Sequence, residues 1–428
     1  MSADVFVMGL DEPNLETLRD APRLAGCRIH PLLAKDEIWR DDDIPFDDLL
    51  ARARAELDAF DGQVDAIVGY WDFPVSSLVP ILGAERGLRT APLAAVVTCE
   101  HKYWSRLAQR AAIDEVPGFA AIGLDADAPR TLPDGLSYPV WVKPIKSSSS
   151  ELAFRATGDA EFRDATARIR AGVDFFAGPF DKVLARVDPP PEVAAVGGRA
   201  CLVEEEAAGA QVTVEGYAHD GEPHVYGVVD TVPYPGTSSF QRYQYPSRLP
   251  DAVLARLTDL TERVIRHIGL DAVTFNVEFF VDTDTGGVRL LEINPRHSQS
   301  HAHLFDHVDG EPNHTCVIEL ALGRNPEMPH RRGPYAVAAK WFVRSFVADG
   351  VVRRVPTAAE VARAEQAIDG VSVQLNVAEG DRLSELHGED SYSYELAHVY
   401  VGAAGQRDLE RKYAEVVHAL PFAVDADA

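Results

Sequence analysis

The residues best suited to chemistry lie in two apolar stretches, VTFNVEFFVD (273–282) and VRLLEINPR (288–296). Side chains alternate between the two faces of a strand, so Glu278 points away from the apolar residues beside it. The same alternation places Leu290, Glu292 and Asn294 on one side of the second stretch. The short polar turn TDTGG between the stretches predicts a hairpin, which would bring Glu278, Glu292 and Asn294 together.

Carboxylates in such apolar surroundings are rarely left without a cation. Two carboxylates and an amide oxygen are hard ligands, and they suit Mg²⁺ with phosphate oxygens completing its shell. The alternative is an exposed hairpin whose acids face water. Both interpretations remain open from these residues alone.

Composition limits the classes of protein to consider. The chain has 428 residues, 46% of them hydrophobic, and a net charge of −26 from 41 basic and 67 acidic residues. This acidity argues against a nucleic-acid or anionic-membrane partner. The four cysteines form no CxxC pair, and no apolar run is long enough for a signal or membrane segment. We therefore expect a cytoplasmic protein with an ordinary folded core.

Residues 1–100 alternate three strand-like and three helix-like segments. This βαβαβα order predicts a parallel sheet with helices on its faces. Only a lone Gly9 follows the first strand, so dinucleotide binding is not supported. The segment YWDFP (70–74) follows the third strand, where a ligand cleft commonly forms, although packing of Trp71 is an equal alternative.

Basic residues and serines come next. CEHKYWSRLAQRAA (99–112) predicts one helix with Lys102 and Arg106 on one face, and a solvated basic edge is its simplest interpretation. YPVWVKP predicts a strand carrying Lys143. The four serines that follow fit either a mobile loop over phosphates or a flexible linker, and their position between two strands favours the loop. They are Ser147, Ser148, Ser149 and Ser150.

The middle of the chain adds further strands. CLVEEE (201–206) predicts a strand whose edge could offer backbone groups to a planar base and acids to ribose hydroxyls. The stretch 235–250, with Arg242, is interpreted as irregular. The spacing of apolar residues in 251–268 predicts a helix, ended by Gly269. Five histidines within 297–314 indicate a zinc site, the lining of a substrate pocket or ordinary polar packing.

In chain order, these motifs resemble the ATP-grasp superfamily, of the carboxylate–amine ligase type with a biotin-carboxylase-like domain arrangement. VEFF and LEINPR, whose glutamates are 14 positions apart (292 − 278), are the most specific part. The resemblance implies a pre-ATP-grasp α/β domain (1–100) and a two-lobed ATP-grasp domain (101–325) with a lid at about 115–203. Residues 331–428 are expected to form a small α+β C-terminal domain. Serines replace the glycine-dense lid usual in the family.

The resemblance also implies roles for particular residues. Lys102, Lys143 and the four serines would contact the phosphates of ATP, while Val203, Glu204 and Glu205 would contact adenine or ribose. Glu278, Glu292 and Asn294 would hold Mg²⁺ (or Mn²⁺). Arg296 would be catalytic, binding the substrate carboxylate or the reacting phosphate. The remaining substrate candidates are Arg242, His301 and His303.

Three functions compete at this point. The favoured one is a ligase that activates a small carboxylic acid, such as an amino acid, as an acyl phosphate and joins it to an amine, releasing ADP. A biotin carboxylase is the second, although Ser300 stands where that family has an acid before its histidine. A non-catalytic nucleotide-binding protein is the third. We expect small-molecule carboxylate and amine substrates, no nucleic-acid or membrane partner, and a homodimer as one option for assembly.

Overall fold

The computed structural model describes residues 2–38, 43–124, 131–147, 151–237, 239–386 and 393–426. Their strands form sheets of three, four, eight and two strands. No helix in these ranges is both long enough and apolar enough to cross a membrane.

The N-terminal segment is an α/β unit. In chain order it comprises β1 (Ala3–Met8), α1 (Glu12–Asp20), β2 (Cys27–Leu32), α2 (Lys35–Ile38), α3 (Phe46–Ala59), β3 (Ala66–Val68) and α4 (Val75–Glu85). The strands pair in parallel in the order β2-β1-β3, which confirms the predicted parallel sheet. The segment YWDFP therefore leaves the carboxyl end of β3, where parallel sheets place ligand clefts.

The predicted helix over 99–112 is wrong in one respect, because two helices occupy this part of the chain. They are α5 (Leu93–Glu100) and α6 (Lys102–Ala112). His101 has extended backbone angles, and its Nδ1 accepts a hydrogen bond from the Trp104 N–H at 3.1 Å. A side-chain cap of this kind satisfies a helix-start N–H, so α6 begins at Lys102.

A four-stranded antiparallel sheet follows, in the order β4-β7-β5-β6. Its strands and helices are β4 (Phe119–Gly123), β5 (Val140–Pro144), β6 (Phe154–Ala156), α7 (Asp159–Gly172), α8 (Asp174–Leu184), α9 (Pro191–Val196) and β7 (Ala200–Glu205). Helix α8 buries Phe176 and Phe180 in the same apolar cluster as Phe46 and Phe73 of the N-terminal unit. This packing attaches the small sheet to the N-terminal unit.

The largest sheet has eight strands in the order β12-β11-β8-β9-β10-β13-β16-β15. Its first part comprises β8 (Ala210–His219), β9 (Glu222–Pro233), β10 (Phe240–Tyr245), α10 (Asp251–Ile268), β11 (Val273–Val281), β12 (Val288–Asn294), α11 (Ala302–Asp309) and α12 (His314–Ala321). Helix α10 has the predicted bounds and ends at Gly269, whose φ is 77°. The irregular interpretation of 235–250 was wrong for β10, which pairs with both β9 and β13.

The C-terminal segment contributes β13 (Val337–Ser345), β14 (Gly350–Arg354), α13 (Ala358–Ala367), β15 (Val371–Leu375), β16 (Tyr394–Ala403), α14 (Gln406–Ala419) and β17 (Ala423–Ala426). Strands β13, β16 and β15 extend the eight-stranded sheet through antiparallel pairing. The segment after residue 331 is thus hydrogen bonded to the preceding strands. A separate C-terminal domain, like the other domain boundaries, stays a prediction.

Candidate active site

The predicted hairpin forms at one edge of the large sheet. Strands β11 and β12 are antiparallel, with Glu278 directly opposite Glu292 and Asn276 opposite Asn294. The register shifts after this glutamate pair, so Phe279 faces Leu290 and Leu291 has no partner in the ladder. A bulge of this kind changes which face the next side chains occupy. Leu290 therefore packs in the core with Phe279, and its predicted place beside Glu292 was wrong.

Glu278 carries the uncompensated charge of the hairpin. Exclusion of water raises the pKa of its carboxyl to about 7, and the facing Glu292 adds to the rise. Its Oε2 accepts a hydrogen bond from Gln211 Nε2 at 2.8 Å. The Asn294 amide donates to Asn276 Oδ1 at 2.8 Å and contacts Glu278 Oε1 at 3.5 Å. The predicted metal ligands Glu278, Glu292 and Asn294 are thus brought together.

Glu292 is balanced by lysines. Lys102 Nζ lies 3.1 Å from Glu292 Oε1 and donates to the Ser147 carbonyl at 2.9 Å. Burial opposes ionisation of Glu292, but Lys102 and Lys143 outweigh it and lower the pKa of this carboxyl. One carboxylate of the pair is therefore matched by cations, whereas Glu278 is short of positive charge. A pair of this kind suits a divalent cation.

The geometry fits a magnesium ion whose coordination shell is completed by a phosphate-bearing substrate. Among the described residues, no group of three or more His, Cys, Asp and Glu side chains could by itself hold a metal ion. Mg²⁺ commonly binds through only one or two carboxylates, with substrate phosphates and water supplying the remaining ligands. Glu278, Glu292 and the Asn294 amide oxygen meet that requirement.

A buried ion cluster lies next to the hairpin. Glu204 Oε2 accepts from Arg106 Nε at 2.9 Å and Nη2 at 2.7 Å, while Lys143 Nζ bonds its Oε1. Arg106 and Glu204 are buried, so the solvated basic edge predicted for Arg106 was wrong. Arg106 also donates to the carbonyls of Leu290 and Leu291, which ties α6 to the bulge of β12.

The ion cluster changes the interpretation of the predicted nucleotide contacts. Burial opposes ionisation of Glu204, but Arg106 and Lys143 outweigh it and lower the pKa to about 2. Both oxygens of Glu204 are thus bonded to cations, Arg106 at one and Lys143 at the other. The contact of Glu204 with adenine or ribose stays a prediction. Lys143 nevertheless lines the same small cavity as Lys102 and Glu292, of about 20 Å³.

The strand edge predicted for Val203 is also absent, because β7 lies between β4 and β5 and Val203 faces a partner on both sides. Glu205 accepts a hydrogen bond from the Ser137 N–H at 3.0 Å. Backbone pairing continues to the N–H of Glu206, which donates to the Pro139 carbonyl. Strand β7 ends at Glu205, and residues 206–208 lie outside any strand.

A second lysine follows the strand that carries Lys143. Lys146 is buried and pairs with the buried Glu100, whose other oxygen accepts from Ser76 Oγ at 2.6 Å. Ser147 is buried beside it and presents its carbonyl to Lys102. Ser148, Ser149 and Ser150 lie outside the described residues, so the predicted phosphate loop stays a prediction.

A cavity of about 350 Å³ opens beside the hairpin. It is lined by Asn276 and Glu278 of β11, by strands β8, β9 and β10, and by the segments 70–72 and 298–301. Arg296 lies in its wall and donates from Nε to Asp72 Oδ1 at 2.8 Å and from Nη2 to Asp72 Oδ2 at 2.7 Å. The predicted fork of Arg296 is therefore present, but one edge binds Asp72 of the N-terminal unit.

The other predicted substrate residues do not lie together. His301 lines the cavity, with Nδ1 2.8 Å from Glu215 Oε1. His303 lies against the Tyr400 ring, with centroids 4.5 Å apart, and is not among the cavity-lining residues. Arg242 alternates with the cavity-lining Tyr243, so it contacts Gln244 and Trp341 on the other face of β10. The predictions for Arg242 and His303 are therefore not supported by their positions.

Sequence reasoning missed several residues of this region. Asp72, Gln211 and Glu215 contact predicted site residues, but none was singled out as a site candidate. Lys146, which pairs with Glu100 and helps to lower the pKa of Glu292, was not singled out either. A signal was present for Glu215, because a charged residue inside the apolar strand QVTVEGYA requires a buried partner. Asp72 carried no comparable signal, since its partner Arg296 lies 224 residues away in the chain.

Comparisons with known proteins agree with this arrangement. Residues 136–302 match the family described as ATP-grasp domain. A segment of 75 residues is 39% identical to the carbamoyl phosphate synthase large chain of Kocuria rhizophila and 44% identical to that of an Arthrobacter species. These matches cover 18% of the chain and 7% of each relative. The match confirms the predicted ATP-grasp resemblance over residues 136–302.

Solved structures share the fold over almost the whole chain. The L-amino acid ligase of Bacillus licheniformis superposes with a TM-score of 0.71 at 14% identity, covering 100% of this chain and 99% of that one. Phosphoribosylglycinamide synthetase of Anaerococcus prevotii gives 0.66 at 13% identity, with 99% and 100% coverage. The biotin carboxylase domain of the Hydrogenobacter thermophilus 2-oxoglutarate carboxylase gives 0.68 at 14%, with 99% and 91%. At these identities the likeness establishes the fold.

The predicted fold class, an N-terminal α/β unit with α+β lobes, is thereby confirmed. The domain match also confirms ATP and Mg²⁺ as the cofactors of the class, and the Hydrogenobacter structure contains MgADP.

Proposed function

We propose that this protein is an ATP- and Mg²⁺-dependent ligase that activates a small carboxylic acid as an acyl phosphate and joins it to an amine. The observation that carries the proposal is the shared wall of one cavity. Glu278, a carboxylate short of positive charge, lines the same space as Arg296. A metal-bound phosphate and a carboxylic acid would meet there.

The phosphate side is assigned to the hairpin and its lysines. Glu278, Glu292 and Asn294 would hold Mg²⁺, which supplies charge neutralisation to the transferring phosphoryl group. Lys102 and Lys143 would contact the phosphates of ATP. Lys146, buried close to them, adds positive potential that favours a polyanion. ATP would therefore lie between the small sheet and the hairpin.

The acid side is assigned to Arg296. Asp72 fixes the guanidinium through two hydrogen bonds, and the side chain forms part of the cavity wall. An arginine held in this way can bind a carboxylate without paying the full cost of ordering its side chain. The acid would then attack the terminal phosphorus of ATP, which releases ADP and leaves the acyl phosphate. The nucleophilic amine would enter the rest of the cavity.

The test is acid-dependent ADP release. Purified protein is incubated with ATP, Mg²⁺ and mixed amino acids, with ADP measured enzymatically and products identified by mass spectrometry. Hydroxylamine is added in a parallel reaction, because it converts acyl phosphates to stable hydroxamates. We expect hydroxamate with the acid alone, and an amide when an amine is present.

The outcomes discriminate between the competing functions. ADP release that requires bicarbonate and free biotin would assign the protein to carboxylation. ATP binding without ADP release under any acid and amine tested would favour a non-catalytic nucleotide-binding protein. Ser300, which precedes His301, is a neutral residue that lines the cavity, and it offers no carboxylate for bicarbonate chemistry.

A further inference from the structure

His301 and Glu215 form a buried pair in the wall of the cavity. The His301 ring is 2% exposed and Glu215 is 0% exposed. Glu215 Oε1 lies 2.8 Å from His301 Nδ1 and accepts from the Ser298 N–H at 3.1 Å, while Oε2 accepts from the Tyr226 hydroxyl at 3.1 Å. The carboxylate is therefore fixed by three partners. A carboxylate at Nδ1 holds the proton on that nitrogen and leaves Nε2 as the basic one.

The second ring nitrogen is not used by the protein. His301 Nε2 is buried, and no described residue forms a hydrogen bond with it. A buried polar atom without a partner is unfavourable, so a ligand that bonds to it would be stabilised. Tyr243 packs edge-on against the imidazole, with ring centroids 4.8 Å apart, so the ring orientation is fixed on that side too. A fixed imidazole with an unused basic nitrogen in a cavity wall is suited to accept a proton.

The geometry points to His301 as the general base toward the amine in the ligation step, with Glu215 as its positioning residue. This inference rests on the proposed function. As the amine nitrogen attacks the acyl carbon, a C–N bond forms and one N–H proton passes to His301 Nε2. The carbon–oxygen bond of the acyl phosphate breaks, and its electron pair leaves with the phosphate. Glu215 stabilises the resulting imidazolium, which later releases the proton to water.

Other charged and titratable groups surround this imidazole. They are Glu215 of β8, Tyr226 of β9, Tyr243 of β10, His297 and Arg296 after β12, Glu278 across the cavity, and Lys340 of β13, which reaches the cavity-lining Ser300 at 3.1 Å. Burial raises the pKa of Tyr243, so this neighbour stays neutral at physiological pH. Glu215 is the carboxylate in direct contact with the ring, 2.8 Å from its Nδ1.

The experiment separates activation of the acid from attack by the amine. His301→Gln is assayed for hydroxamate with hydroxylamine and for amide with the amine substrate. Hydroxylamine is largely unprotonated at neutral pH and needs no general base, so hydroxamate formation should stay within about threefold of wild type. Amide formation should fall by about 10²–10⁴-fold, the usual contribution of a general base.

Two further variants distinguish a proton acceptor from a structural residue. Imidazole added to His301→Ala should restore part of the amide formation, since the truncation leaves room for it. Glu215→Gln should lower amide formation by a smaller factor and shift its pH profile, because the neutral amide no longer favours the imidazolium. His307→Gln is the matched control, because this histidine lies on α11, which begins just after His301, but packs against Tyr335 outside the cavity. It should leave both products unchanged.

An equal fall of hydroxamate and amide in His301→Gln would overturn the inference while leaving the ligase proposal intact, because His301 would then act before the amine enters. Unchanged amide formation in that variant would overturn it too. Absence of hydroxamate from the wild-type protein with every acid tested would overturn the acyl phosphate, and the inference with it. Thermal unfolding of each variant shows whether a loss reflects misfolding.

Discussion

Glu204 of the four-stranded sheet and Glu278 of the eight-stranded sheet have opposite electrostatic environments. Glu204 lies between Arg106 and Lys143, which overcome burial and lower its pKa to about 2. Glu278 has Gln211 and a second carboxylate for neighbours, and exclusion of water raises its pKa to about 7. The residue type and the apolar strand context are the same, so the number of nearby cations decides the difference.

The comparison separates a structural carboxylate from one that requires a ligand. Glu204 has both oxygens bonded to cations, and it joins α6 to the small sheet. Glu278 lines a cavity and is short of positive charge, which a bound Mg²⁺ would supply. A glutamate carboxylate thus stabilises the fold at position 204, whereas at position 278 it lacks the cation that a bound Mg²⁺ would supply.

The largest expected effect concerns the pair of carboxylates that would bind Mg²⁺. Glu292→Gln removes half of the carboxylate pair, so Mg²⁺-dependent ADP formation should fall at least on the order of a thousandfold. Thermal stability without ligand should change little, while the stabilisation by MgATP should be reduced. Glu415→Gln, on the exposed face of α14, is the control and should be unaffected. Normal turnover in Glu292→Gln would remove the metal assignment.

On the structural side, Glu204→Gln should destabilise the protein by about 3–5 kcal/mol, because Arg106 and Lys143 lose their buried partner. Urea unfolding measures this change. Glu206→Gln is the matched control two residues away, where the pair with Arg155 is partly exposed and should be worth about 0–1 kcal/mol. Equal stability of the two variants would contradict the assignment of Glu204 as a structural ion-pair partner.

Arg296 has both a structural contact and a place in the cavity wall, since it pairs with Asp72 and lines the cavity. Lysine keeps the charge but loses the fork, so Arg296→Lys should bind ATP nearly normally while ligation falls on the order of a hundredfold. Calorimetric ATP affinity and the steady-state ligation rate measure the two effects. A parallel fall in both would make Arg296 a nucleotide contact or a purely structural partner of Asp72.

The smallest expected effect is the pH dependence of stability without ligand. The folded pKa of Glu278, about 7, is above the ordinary glutamate value of 4.5, so the native state binds more protons in this range. Its contribution to stability is therefore present below about pH 4.5 and is lost as pH rises toward 7. The pKa of Glu204 is lowered, so its contribution is lost as pH falls toward 2.

Denaturant titrations of wild type and Glu278→Gln at several pH values test this sign. The stability of wild type relative to the variant should decline between about pH 4.5 and 7. A relative stability that rises with pH in this interval would show that Glu278 is compensated by a cation in the free protein.

Much of the fold was predictable because local patterns agree with the tertiary structure. The alternating strands and helices of the first hundred residues, the helix over 251–268 and the hairpin after it appear as predicted. Strand β10 was not predicted, because its polar sequence FQRYQY is stable only between the two strands that it joins. The break at His101 depends on a single cap hydrogen bond, which periodicity does not reveal.

For the site, the sequence indicated which residues could bind a ligand better than it indicated which residues contact one another. Glu278, Glu292, Asn294 and Lys102 come together as expected, since they lie on adjacent strands or at the start of a helix next to them. The ion pairs of Glu204 were not predicted, because Arg106, which looked solvent-exposed by helical spacing, is turned inward. Burial of a charged side chain depends on which element covers it, and this is not encoded by its nearest neighbours.

By itself, the sequence determined the strand alternation, the 14-residue spacing of two carboxylates and the polar turn that pairs them, because these depend on residues close together in the chain. Only the tertiary structure decided which charges are compensated. Asp72 meets Arg296 across 224 residues, Arg106 meets Glu204 across 98, and Glu215 meets His301 across 86. Electrostatic energy depends on distance in space and on the exclusion of water, and both are set by packing between elements remote in sequence.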